Sequence, residues 1–393
     1  MDIAALLHPS VQEYIVQKTG SDTTKLALQK NPFPAIDFKI ILNQIESRNK
    51  SAAKLPTWFT TESIVYPTKI SLEQTSSEVT AQYKSTLVSG DTLIDLTGGF
   101  GVDDYYFARK MKSVIHCELN TDLSEIVVHN FEAFGIKNVQ CMAGDSTEIL
   151  QNLNQQFDWL YIDPSRRNDA KGKVFMLKDC LPNVPELLDL YFRYSNNILV
   201  KTAPILDITA GLNELKFVKA IHIVSVENEV KELLWEIEKQ FTGNPRIKTV
   251  NFHKNIPDFF EFDFNQNPNV VYGLPQKYLY EPNSAIMKSG GFSEIGNAFG
   301  LHKLHPHSHL YTSDALIDFP GRIFQINSQL DYSNANMKEF LKDSKSNITT
   351  RNFPETVADI RKKWKIKEGG DQYSFFTTAE NDSKIVLLCT KLN

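Results

Sequence analysis

The sequence is poor in cysteine and lacks any long apolar run. Its four cysteines, Cys117, Cys141, Cys180 and Cys389, lie far apart and form no CxxC pair. That spacing excludes a disulfide framework and a thiolate zinc site, and it is the pattern of a reduced, cytoplasmic protein. No stretch reaches the roughly 20 apolar residues that a membrane helix needs. The opening MDIAALLHPSVQEYIVQK has no basic segment followed by an apolar one, so no secretory leader is expected. A global excess of positive charge is also missing: the formal net charge is −5. Contact with nucleic acid would therefore need a local patch. From Val271 onward, 15 basic residues stand against 13 acidic ones, whereas the remainder carries 27 against 34.

What is present is an ordinary globular composition, 41% hydrophobic and 23% charged over 393 residues. That length suits two or three domains. Residues 1–67 read as a helical segment. HPSVQEYIVQK and DFKIILNQIESRNKSAAK carry apolar residues at helical spacing, with Asp37 as N-cap of the second. Residues 68–270 alternate strand and helix. Strands are expected at TLIDL, SVIHCEL, NVQCMAG, FDWLYID, NILVKT and AIHIVSV, and VKELLWEIEKQF is expected to be a helix. Interleaved strands and helices imply a doubly wound α/β sheet. The segments KTVNF and FFEFDF are too close for a crossover and would form an antiparallel hairpin at one edge. Residues 271–320 read as a small α+β segment. The last part, 321–393, has the order β-α-β-α-β-β, with Pro354 starting the helix PETVADIRKKWK.

The first strand runs into Asp95-Leu96-Thr97-Gly98-Gly99-Phe100-Gly101-Val102-Asp103-Asp104. Glycines here permit a tight turn and close approach of a ligand. A dinucleotide fingerprint, GxGxxG, fits Gly99 and Gly101 but meets Asp104 at its third glycine. An acid at that place repels a pyrophosphate and is tolerated by a cationic sulfonium, so the loop points to S-adenosylmethionine. Later strand ends supply matching groups. Glu118 can accept from ribose hydroxyls, Asp145 can take the adenine amino group, Asp163-Pro164-Ser165-Arg166 would lie beside the reactive methyl, and Lys201 ends the fifth strand. Open α/β sheets bind ligands at these carboxyl ends.

The loop IDLTGGFGVDD resembles motif I of class I S-adenosylmethionine-dependent methyltransferases, and its D-x-T-x-G-x-G-x-D form resembles RNA-modifying members. KISLEQTSSEVTAQYK, 69–84, is similar to the helix that covers the cofactor in such enzymes. With DPSRR and the closing IKEGGDQYSFFTT, the chain resembles a bacterial methyltransferase family with a C-terminal THUMP-like domain. The resemblance implies a Rossmann-like core at 68–270, a ferredoxin-like segment at 271–320 and a THUMP-like domain at 321–393. It also implies a tRNA or rRNA substrate. The cofactor set would be Asp95, Thr97, Gly98, Gly99, Gly101, Asp104, Glu118, Asp145 and Asp163.

The acceptor chemistry is less determined. Enzymes that methylate exocyclic base nitrogens carry an Asp/Asn-Pro-Pro-aromatic motif. Here Asp163 and Pro164 fit, while Ser165 and Arg166 depart, and Arg166 can stack on a base or pair with phosphate. A base nitrogen is the first expectation. Ribose 2′-O methylation, which needs a Lys–Asp–Lys–Glu set, is a lower-ranked alternative drawing on Asp163, Lys201 and Glu227 or Glu229. No cysteine follows the fifth strand to serve as a C5-pyrimidine nucleophile, and Cys180 reads as structural. Transfer to a protein or small molecule, and an inactive RNA-binding role, stay open. His302, His305, His307 and His309 have irregular spacing and no partner cysteine, so no metal is expected. The run Arg361, Lys362, Lys363, Lys365, Lys367 reads either as a solvated helix end or as an RNA contact, with Trp364 in the core.

Overall fold

In a computed structural model, residues 2–392 are described except 166, 169–171, 174, 175 and 267; the side chains of 167, 168, 172 and 173 are also outside the description. The chain divides into two compact units: 1–220 with 232–243, and 221–231 with 244–393. No described helix is long and apolar enough to cross a membrane.

The first unit opens with helices. Pro9–Gln17 forms α1 and Phe38–Lys54 forms α2, whose N-cap Asp37 accepts the Lys39 amide as expected. Pro56–Thr60 is α3, Lys69–Gln74 α4 and Glu78–Ser85 α5. The segment expected as one cofactor-covering helix is thus two, broken where Ser77 caps α5. Gln44 holds Tyr66 through both its amide oxygen and its amide nitrogen, and Asn130 holds Val65 in the same way. These paired bonds fix the extended segment that leaves the helices. Trp58, Ile41, Ile45, Val65, Phe100 and Phe131 fill the shared core.

The sheet of this unit contains β1 (Thr92–Asp95), β2 (Ser113–Glu118), β3 (Val139–Ala143), β4 (Trp159–Ile162) and β5 (Asn197–Thr202). They run parallel in the order β3-β2-β1-β4-β5. The crossover helices are α6 (Val102–Ala108), α7 (Thr121–Ala133), α8 (Ser146–Leu153) and α9 (Val184–Tyr191), with α10 (Ile208–Glu214) after β5. The strand β6 is Val218–Val226.

A second element departs from expectation. VKELLWEIEKQF is not a helix: Glu229–Glu238 is a strand, β7, antiparallel to β5 with Thr202 opposite Leu233. Val230, Leu233, Leu234 and Ile237 have helical spacing, which misled the periodicity. Glu232 to Trp235 are all buried, as expected for a strand covered on both faces. Trp235 packs over Gly211, where an added Cβ would lie 2.2 Å from the indole ring, and its Nε1 donates to Thr202 Oγ1 at 2.9 Å.

The second unit holds a hairpin of β8 (Arg246–His253) and β9 (Ile256–Asp263), as expected. Its turn residues Lys254 and Asn255 both have positive φ, the geometry that matches strand twist. A seven-stranded sheet follows. Its strands are β10 (Tyr278–Pro282), β11 (His302–Lys303), β12 (Tyr311–Ser313), β13 (Gly321–Asp331), β14 (Asn347–Arg351), β15 (Gln372–Thr378) and β16 (Lys384–Lys391), in the order β11-β12-β10-β13-β16-β15-β14. Helices α11 (Ser284–Ser289) and α12 (Phe292–Ala298) follow β10. From β13 the expected order holds, with α13 (Asn334–Phe340) and α14 (Val357–Trp364) packing Met337, Ile360 and Trp364 against Phe376 and Val386. Pro354 lies outside α14, because Thr356 and Asp359 form its capping box.

Replacing Trp235 with Ala removes the largest side chain of β7 and one buried hydrogen bond. The expected loss is about 3–5 kcal/mol of stability, measurable by urea unfolding.

Candidate active site

The loop after β1 is held by bonds that its sequence makes possible. Asp95 Oδ1 accepts from the Thr97 amide at 2.7 Å and from its hydroxyl at 3.1 Å. Thr97 Oγ1 in turn accepts the Asp163 amide at 2.6 Å, tying the ends of β1 and β4 together. Gly98 donates to Cys117 O and Gly101 to Gly98 O. Gly99 and Gly101 have φ of 56° and 73°, which glycine adopts without strain. Beneath the loop there is no room, since a Cβ on Gly98 would stand 2.1 Å from His116 Nδ1. A Cβ on Gly99 would meet nothing closer than Thr97 O at 3.8 Å, so this side is open.

Glu118 ends β2 half-buried, with Oε2 accepting from Gly99 at 3.0 Å and Oε1 from Asn120 at 2.8 Å. Asp145 caps α8, using Oδ1 for the amides of Thr147 and Glu148. Asp163 Oδ2 is paired with Lys201 Nζ. Pro164 is buried and Ser165 exposed, while Arg166 lies outside the described residues.

Asp104 corrects the sequence reading. Its carboxyl is fully buried and bonds His116 Nδ1 at 2.7 Å, so it faces the interior and not a ligand. Burial, with Asp103 next, pushes Asp104 well above the usual carboxylate range, and burial with Asp104 does the same to Asp95. Burial lowers the pKa of His116.

Three residues that the sequence reading left out of the site join it: Lys84, Asp103 and Glu232. Lys84, on α5, is fully buried and bonds Ser76 Oγ at 2.8 Å, Glu232 at 2.9 and 3.0 Å, and Asp103 at 3.1 Å. Asp103 also accepts from Tyr161 OH at 2.8 Å and Ser76 Oγ at 2.9 Å. Burial would raise Asp103, but Lys84 and Lys201 outweigh it and hold it below the usual range; Glu232 is raised, chiefly by burial. Lys201 is lowered by burial and raised more by Asp163, Glu232 and Asp103 together, so it stays protonated. Glu227 and Glu229, considered from sequence for this group, have partners of their own: Glu227 holds His253 and the Lys254 amide, and Glu229 is exposed beside Lys231. Only the network itself could have signalled Lys84, since a lysine at a helix end ordinarily reads as solvated.

In the second unit, the basic run is split. Arg361 donates to the carbonyls of Ile366 and Ser346, and Lys363 pairs with Glu355. The side chains of Lys362, Lys365 and Lys367 are exposed and make no ion pair among the described residues. The four histidines do not gather at one point: His302 meets Gln276, His305 meets Asn352, Asp382 and the ring of His307 at 5.6 Å, and His309 stacks on Phe292 at 3.6 Å. No group of three or more His, Cys, Asp or Glu among the described residues is placed to hold a metal.

A glycine loop after β1 and acids at successive strand ends of a parallel sheet define a class I S-adenosylmethionine-dependent methyltransferase. The comparisons agree. A solved structure from Porphyromonas gingivalis W83, described as a candidate methyltransferase, matches over 100% of both chains at 30% identity with a TM-score of 0.88. An uncharacterized S-adenosylmethionine-dependent methyltransferase of Mycobacterium tuberculosis H37Rv is 23% identical over 273 residues, 69% of this chain and 72% of its own. An uncharacterized RNA methyltransferase of Mycoplasma mobile is 26% identical over 171 residues, 42% of this chain and 40% of its own. Family models match a ferredoxin-like domain at 278–320 and a THUMP domain-like region at 321–391. The chain belongs to the family of S-adenosylmethionine-dependent methyltransferases that carry this C-terminal THUMP-like domain.

The buried Asp95–Asp104–His116 group makes a pH prediction. Carboxyls whose folded pKa is raised stabilise fully below the unfolded value near ~4, and that contribution is lost as pH rises through the raised value. His116, lowered on folding, contributes oppositely: its stability is lost as pH falls below the unfolded value near ~6.5. Asp104→Asn should flatten that loss, read as a smaller drop in unfolding free energy than in the wild type as pH rises from about 4.

Proposed function

We propose that this enzyme methylates RNA, tRNA or rRNA being the expected classes. The observation that carries the reading is the THUMP-like region with three exposed lysines at one helix end, Lys362, Lys365 and Lys367, that make no ion pair among the described residues. Positive side chains without internal partners are free to neutralise phosphates, and counterion release makes such contacts favourable. The name of the Mycoplasma mobile relative points the same way.

In this reading the loop Thr97–Gly101 cradles S-adenosylmethionine. Its open side above Gly99 and the carboxylate of Glu118 fit a ribose with two hydroxyl donors. The free oxygen of Asp145 can accept from the adenine amino group. The bound cofactor supplies an electrophilic methyl group. Asp95 holds the loop through Thr97 and does not touch the ligand. Asp163 and Lys201 face the acceptor, and the buried Lys84–Asp103–Glu232 group keeps them in place.

Labelled methyl transfer into extracts of a deletion strain tests the substrate class: label is expected in RNA, and label confined to protein or small molecules defeats the reading. Replacing Lys362, Lys365 and Lys367 together with Ala should weaken RNA binding. It should also reduce the slope of log affinity against log salt by about 2–3. Cofactor affinity by calorimetry should not change. An unaltered salt slope would remove these lysines from the RNA interface.

A further inference from the structure

The charges at the strand ends are unevenly exposed. Lys84 is sealed from solvent, Glu232 keeps 3% of its side-chain surface and Asp103 11%. Lys201 keeps 12% and Asp163 32%. The buried group therefore opens outward through one pair, an ammonium and a carboxylate at the ends of two adjacent parallel strands. An apolar recess lies alongside, lined by Pro164, Met176, Leu177, Ala203 and Leu206.

The hydrogen-bond polarity of this pair selects among acceptors. An ammonium has three donors and no acceptor, and a carboxylate only accepts. The exocyclic amino group of a base presents two N–H donors and a lone pair delocalised into the ring. Beside Lys201 it would set donor against donor. A hydroxyl is both donor and acceptor, so its oxygen can take a bond from Lys201 while its proton points at Asp163. RNA offers such a group on every nucleotide, and it is what separates RNA from DNA.

We propose that the acceptor is a ribose 2′-hydroxyl, its oxygen held by Lys201 and its proton taken by Asp163; this rests on the RNA reading above. The hydroxyl oxygen forms the new C–O bond with the methyl carbon. The electron pair of the broken C–S bond stays on sulfur, turning the sulfonium into a neutral thioether. The O–H pair stays on oxygen as the proton passes to the Asp163 carboxylate and then to water. Lys201 stays protonated throughout and is an orienting donor, not the base. Lys201 and Asp163 are catalytic residues. Glu232 and Lys84 are positioning residues: Glu232 steers the Lys201 ammonium, and Lys84 neutralises Glu232 so that it can remain buried.

Alkaline hydrolysis of the labelled RNA separates the outcomes. A 2′-O-methyl group blocks cleavage of its own linkage, so label is expected in alkali-stable dinucleotides. Label in mononucleotides would mean base methylation, overturning this inference while leaving the RNA reading intact. No label in RNA would overturn both. Lys201→Met should lower transfer by about 100-fold or more, and Asp163→Asn similarly, as for loss of a group acting at the reacting atom. Affinity for S-adenosylhomocysteine should change less than about threefold. At equilibrium and without cofactor, the wild type should bind an oligonucleotide spanning the mapped site about fivefold more tightly than its 2′-deoxy counterpart, the size of one hydrogen bond. Lys201→Met should bind the two equally. Equal binding by the wild type would count against the hydroxyl contact. Glu232→Gln should lower the kcat of the folded enzyme about tenfold at unchanged KM, whereas a merely structural role would lower Tm and leave the kcat of the folded enzyme unchanged.

Discussion

Everything at the mouth of this methyltransferase unit depends on one buried ammonium. Lys84 Nζ donates to Ser76 and Glu232 and forms an ion pair with Asp103 at 3.1 Å, so one ammonium is held by three partners. These partners come from the segment before α5, the first turn of α6, and β7. A single side chain thus ties the helical entry, the cofactor loop and an antiparallel strand to one point. A buried ion pair adds little net stability over a well-packed apolar substitute, because desolvation consumes most of the attraction. What it supplies is definition. Each charge tolerates burial only while its partner stays within hydrogen-bonding distance, so the three elements cannot shift independently.

The same constraint explains which parts of the site could be read from sequence. Strand ends and the glycine loop were legible because they follow local rules: an apolar run, then a turn, then a helix start. Glu118, Asp145 and Asp163 fall where parallel strands end, and the structure puts them there. Asp104 was misread because its position after the loop suggested a ligand contact, while its true partner, His116, is 12 residues away on β2. Lys84 and Glu232 are 148 residues apart, and no local pattern joins them. β7 was misread for a related reason. A strand covered on both faces gives up the alternation that identifies strands, and its apolar residues then fit a helical period by chance.

The basic run shows the opposite failure. Five positive residues looked like one patch, yet Arg361 and Lys363 spend their donors on the carbonyls of Ser346 and Ile366 and on Glu355. Arg361 acts as a staple between α14, the residue before β14 and the turn after the helix, and three lysines of the run are left for a partner. Charge counts in sequence set an upper limit on an electrostatic surface. The fold decides how much of it faces outward.

The network also has a charge imbalance that suits its task. Asp103, Asp163 and Glu232 carry up to three negative charges, and Lys84 and Lys201 two positive ones. The energy of an unbalanced negative charge beside a sheet end falls when a cation approaches, and it falls more where water is scarce. The sulfonium of a bound cofactor would bring that cation. In the proposed transfer the sulfonium would become neutral, and the excess negative charge would then be free to hold the acceptor's proton. On the proposed assignment, the unequal count would favour the cationic cofactor before transfer and proton uptake after it, through the same five side chains.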